Sequence, residues 1–90
     1  MGLSLDSRPA RKEGVLAQTA AENWVLLDLE SGEYFALDEV SSRIWHLCDG
    51  ERTVADIARA VHAEFDAPAE DIERDALAVL AELASEGLVR

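Results

Sequence analysis

A single cysteine stands in these 90 residues, so the chain cannot close an internal disulfide. No stretch approaches the roughly 20 apolar residues needed to span a bilayer, and the first dozen residues lack the apolar run of a signal peptide. These absences read as a soluble, cytoplasmic protein. Basic residues are scarce as well: eight Lys and Arg face 19 Asp and Glu, giving a net charge of −11 at pH 7. A field of that sign repels phosphate backbones and anionic lipid, which argues against nucleic-acid and membrane partners and favours neutral or basic ones. The carboxylates are scattered rather than gathered in one block, so they also keep a small protein in solution.

Chemistry-bearing constellations are equally sparse. His46 and His62 are the only imidazoles, and with Cys48 they fall short of the three or four N/S donors at tight spacing that zinc takes. A nucleophile needs a base within hydrogen-bond reach and a third group to orient that base. Cys48 follows His46 by two residues, a spacing that on a helix sends the side chains in different directions. Asp71, Asp75 and Glu82 share a helical face and read as solvated rather than as a metal site. There is no GxGxxG and no P-loop. The expectation is a chain without catalytic residues, metal or cofactor.

What is present is a core. Hydrophobic residues make up 49% of the sequence, enough for one domain, although a chain this short buries only about 60% of its unfolded surface. Residues 1–13 show no apolar periodicity and read as a flexible N-terminal segment, leaving 14–90 as the folded domain. Val15 to Gln18 and Asn23 to Leu29 are short apolar runs, with Trp24-Val25-Leu26-Leu27 rich in strand formers. Glu30-Ser31-Gly32 supplies a turn, and Glu33-Tyr34-Phe35-Ala36-Leu37 a third strand, completing an antiparallel meander.

Three helices follow. Asp38 is placed to cap a helix over about 39–47, which Asp49-Gly50 ends. Thr53 and Asp56 resemble a capping box before Val54, Ile57, Ala58, Val61 and Phe65 at helical spacing. Pro68 opens a third helix and Gly87 closes it. The order predicts an α+β fold, winged helix-turn-helix-like, with a three-stranded antiparallel sheet followed by three helices gathered on one of its faces. A DNA-reading helix presents Arg, Lys, Asn or Gln; here the second helix carries only Arg59, and the third carries Arg74 amid carboxylates. Charge argues against DNA.

Two features suggest a docking surface. The third strand pairs on one side only, and neither Lys nor Pro blunts its free edge. On the third helix, Val79, Ile72, Leu83, Ala76, Leu80, Ala84, Leu77 and Leu88 sweep about half the helical circumference, more than the roughly 100° stripe that one-sided packing needs. The surplus either faces a guest or wraps into the core between two helices.

The ordered string Trp24-Val25-Leu26-Leu27-Asp28, Gly32-Glu33-Tyr34-Phe35-Ala36-Leu37-Asp38, Ile44-Trp45-His46-Leu47-Cys48-Asp49-Gly50 and Thr53-Val54, continuing through Ile57-Ala58, Phe65-Asp66, Asp75, Leu80, Leu83 and Gly87-Leu88-Val89, closely resembles the PqqD-like family. The resemblance covers about Val15 to Arg90. It implies a recognition element for ribosomally made, modified peptides: the leader segment of a precursor peptide is added as a fourth strand beside the third strand and held against the third helix. The pattern at Leu27 to Leu37 is most like the stand-alone leader-binding proteins of lasso-peptide biosynthesis, which implies delivery to a cysteine, transglutaminase-like leader peptidase. In pyrroloquinoline quinone biosynthesis the recipient would be a radical SAM enzyme.

On that reading the guest meets the main chain of Glu33, Tyr34, Phe35, Ala36 and Leu37, with Phe35 and Leu37 turned to the core. Its apolar anchors meet Ile72, Ala76 and Val79, and Asp71 and Asp75 pair with a basic leader residue. The alternatives are ordinary core for the three apolar residues and a solvated face for the two aspartates.

Overall fold

A computed structural model describes residues 3–21 and 23–90. Strands β1 (Val15–Ala20), β2 (Asn23–Asp28) and β3 (Tyr34–Leu37) precede helices α1 (Glu39–His46), α2 (Val54–Glu64) and α3 (Ala69–Ser85). The sheet order is β1-β2-β3, antiparallel throughout, with Leu26 opposite Ala17 and Phe35. The α+β arrangement read from the sequence is the one observed.

Local signals act where expected. The Asp38 carboxylate accepts from the Ser41 amide at 2.7 Å. Thr53 and Asp56 form a reciprocal capping box, Asp56 N–H to Thr53 Oγ1 and Thr53 N–H to Asp56 Oδ2, both 3.1 Å. The carboxyl of Asp56 is held below its ordinary range, chiefly by these Thr53 contacts.

Leu26, Ile44, Val54, Ile57, Val61, Leu80 and Leu88 are fully buried in one core. Helix α1 packs on β2, β3 and both other helices, and α2 packs along α3. All three helices are thereby joined to one sheet face through α1. The opposite face turns Leu16 and Tyr34 to solvent.

The N-terminal segment departs from expectation. Rather than a loose lead-in separate from the domain, residues 5–12 run as a strap along the body, because their main-chain groups find partners there. The Ala10 amide donates to Arg90 C=O and the Arg90 amide to Ala10 C=O, at 3.1 and 2.9 Å; Lys12 N–H donates to Leu88 C=O at 3.0 Å. Val54 and Ala55 donate to Ser7 and Leu5, first-turn amides that have no partner within α2. Pro9 is fully buried. Composition concealed this, since the strap is fastened largely by main-chain groups, which leave no apolar periodicity in the sequence.

Candidate functional site

The site starts at the β2–β3 hairpin. Asp28 organises the turn: its side chain accepts from the Glu30 amide at 3.0 Å, and its C=O accepts from Gly32 N–H at 2.7 Å. Gly32 sits at φ +76°, where a side chain is disfavoured. Lys12 reaches from the strap to Asp28 at 2.9 Å, an ion pair whose carboxylate is nearly buried. That contact, first through its hydrogen bond, pulls the Asp28 carboxyl below its usual range and raises the Lys12 ammonium above its own. Glu33 precedes β3 and does not line the groove described below; its carbonyl accepts from Asp28 N–H at 3.0 Å.

This bond fixes which main-chain groups are free. Residues opposite one another in an antiparallel pair alternate between exchanging hydrogen bonds and turning them outward. With Asp28 and Glu33 bonded, the register makes Leu26–Phe35 and Trp24–Leu37 bonded pairs. The N–H and C=O of Tyr34 and Ala36 then point away from β2, along an edge that no other strand covers among the described residues. Side chains alternate as expected: Phe35 and Leu37 pack against the core, while Ala36 is exposed and Tyr34 is 71% exposed.

Helix α3 faces this edge with its last turns. Gly87, at φ +75°, closes the helix in a Schellman motif: its own N–H donates to Ala84 C=O at 3.0 Å and Leu88 N–H to Leu83 C=O at 2.8 Å. The reversal buries Leu83 and Leu88 and leaves Glu82 and Glu86 at the surface. Between these residues, Ser85 and the whole of β3 lies an open groove of about 510 Å³. No Cα of β3 approaches one of α3 within 8 Å, whereas paired strands lie about 4.8 Å apart. Among the described residues no strand pairs with the outer edge of β3, and the groove runs beside it.

Of the expected site, the strand half is brought together: Tyr34, Phe35, Ala36 and Leu37 all line the groove. The helix half lies outside this groove. Ile72 and Ala76 are 4% and 0% exposed and belong to the core; Val79 is half-buried against it. Asp71 pairs with Arg74 at 3.0 Å, and Asp75 is exposed. None of the five lines the groove. The wall is built about ten residues later, some 15 Å along the helix axis, from Glu82, Leu83, Ser85, Glu86 and Leu88. A helical wheel gives the angle of a residue and not its axial position, so it does not locate a wall along the helix. The signal that was available is Gly87, since a Schellman closure pairs residues 83 and 88.

Elsewhere, a cleft of about 340 Å³ lies among Trp24, His46 and Phe65, with the 2.7 Å Arg43–Glu64 ion pair in its wall and no edge-strand main chain. His46 packs edge-on against Trp24 and Trp45, with Nδ1 2.8 Å from Ser42 C=O. Cys48 is fully buried, its Sγ 3.3 Å from Ile44 C=O, and burial pushes the thiol up to about 12. Among the described residues no group of His, Cys, Asp and Glu is placed to hold a metal ion, and no helix is long and apolar enough to cross a membrane.

Comparison with known proteins gives this geometry a context. The family model described as coenzyme PQQ synthesis protein D (PqqD) matches residues 23–89. A PqqA binding protein of Xanthomonas oryzae pv. oryzae (strain PXO99A) is 39% identical over 90 residues, covering 98% of this chain and 96% of that one. A solved structure of the PqqD truncation of Methylobacterium extorquens PqqCD, described as a functional and stand-alone RiPP recognition element, superposes with a TM-score of 0.82. It is 31% identical, with 99% and 95% of the two chains covered. Lasso peptide synthetase B1 complexed with the leader peptide superposes with a TM-score of 0.77 at 25% identity, covering 93% and 99%.

Proposed function

Because this chain belongs to the PqqD family, we propose that its open β3 edge binds the leader segment of a ribosomally made precursor peptide by strand addition and delivers it to processing enzymes. One observation carries the reading: the outer edge of β3, with the outward N–H and C=O groups of Tyr34 and Ala36, borders an open groove of which Tyr34 to Leu37 form one side. Main-chain bonds to such an edge supply affinity, while the pockets beside it select alternate side chains of the guest. Binding without catalysis is part of the proposal. The inaccessible Cys48 thiol, with its raised pKa, supports it, since a thiolate is the reactive form.

An acidic winged-helix regulator that binds DNA, the alternative of a different class, is disfavoured by charge. Arg59 and Arg74 are engaged by Asp56 and Asp71, so little positive charge remains for phosphates.

Within this function we propose the lasso-peptide role, with a cysteine, transglutaminase-like leader peptidase as recipient. The likeness to the lasso synthetase B1 complex supports it, as does the hairpin sequence from Leu27 to Leu37. A second reading, delivery to a radical SAM enzyme in quinone-cofactor biosynthesis, is favoured by the 39% identity to a PqqA binding protein. Titrating the chain with a synthetic lasso-precursor leader and with a PqqA-type peptide, and following Trp45 fluorescence, separates them. The indole of Trp45 donates to Leu88 C=O at 3.2 Å, and Leu88 lines the groove. The lasso reading expects saturable binding of the first peptide only, the second reading expects it of the PqqA-type peptide, and binding of neither contradicts the proposed function itself.

A further inference from the structure

The chemistry of the groove narrows the guest further. Phe35, Leu37, Leu83 and Leu88 give it an apolar floor, and its charged lining residues are Glu82 and Glu86 alone. Four residues apart on α3, these two carboxylates are neighbours on one helix face, where like charges repel. They also stand in the last turn of α3, at the negative end of the helix dipole, where cations are favoured and where α3 carries no basic residue.

Among the described residues no ion pair offsets this repulsion; six of the 19 carboxylates are paired, all away from the groove. Lys12 pairs with Asp28 and Glu30, Arg43 with Glu64, Arg52 with Asp49, Arg59 with Asp56 and Arg74 with Asp71. Among the described residues no cation pairs with Glu82 or Glu86, and no Lys or Arg lines the groove.

We propose that the groove is selective for an apolar and basic segment, one that adds to β3 through its main chain and seats a Lys or Arg side chain between Glu82 and Glu86. The inference rests on the groove being the peptide site. A cation there relieves both the pairwise repulsion and the unfavourable helix end.

The test uses the synthetic leader that the chain is found to bind, and the same peptide with every Lys and Arg replaced by Gln. Each is titrated against the full chain and against the Glu82→Gln/Glu86→Gln double variant, at low and at high salt, with helical content checked by circular dichroism. At low salt, neutralising the peptide is expected to weaken binding to the native chain roughly five-fold or more, and to change little in the double variant. High salt should shrink the native difference. Equal binding of the two peptides by the native chain overturns the inference, as does a difference that persists in the double variant or a bound leader with no basic residue; in each case leader binding itself stands. If no leader binds the native chain, the functional reading fails first and the inference with it.

Discussion

At the scale of the residue, the site depends on which way four main-chain groups point. Ala36 illustrates this: its N–H takes no part in the β2–β3 ladder, so removing it costs the sheet nothing directly. Proline is tolerated at such an edge position and not in a central strand. It also asks residue 35 for an extended conformation, which a strand residue already has. Ala36→Pro is therefore expected to leave the stability to urea within about 1 kcal/mol, while losing a guest hydrogen bond worth about 1 kcal/mol and adding a ring at the contact. Leader affinity should fall roughly ten-fold. Phe35→Pro, which removes a ladder bond, is expected to unfold the hairpin instead, and comparing the two variants isolates the role of the outer edge.

At the scale of the element, the sequence was legible wherever a short-range signal exists. Asp38, Thr53 with Asp56, Pro68 and Gly87 marked helix ends because these signals are local: a capping side chain within three positions, a ring-fixed φ or a residue free to take positive φ. The strap of residues 5–12 and the axial position of the groove wall were not legible, since both are set by main-chain and packing contacts between distant parts of the chain. The strap meets the hairpin through Lys12 and Asp28, which gives that link a pH signature. The lowered Asp28 carboxyl contributes stability that is present above its unfolded value near pH 4 and lost as pH falls through its lower folded value. The raised Lys12 ammonium contributes stability that is present below about pH 10.4 and lost as pH rises through its higher folded value. Lys12→Met leaves a nearly buried carboxylate unpaired. Urea unfolding should find it destabilised at neutral pH, with the gap to the native chain narrowing below pH 4. A gap that stays constant through the acid range would show that the pair does not hold the hairpin.

At the scale of the whole molecule, a 90-residue domain spends its apolar residues on one core and leaves the outer edge of β3 beside an open groove. The unblunted edge was visible in the sequence from Tyr34 to Leu37, because no Lys or Pro interrupts it; its facing wall was not, because Leu83 and Leu88 read as core residues and are indeed buried. They form a floor only because the Schellman turn brings them beside β3. The net charge of −11 then acts over the whole surface, favouring encounter with a basic guest and disfavouring nucleic acid. The central claim is that a peptide adds as a strand to the outer edge of β3, and residue-resolved amide hydrogen exchange with saturating leader peptide tests it most directly. The account expects strong slowing at Tyr34 and Ala36, whose amides acquire partners, and little change at Phe35 and Leu37, which are already bonded to β2. Saturable leader binding with unaltered exchange at Tyr34 and Ala36 would contradict it.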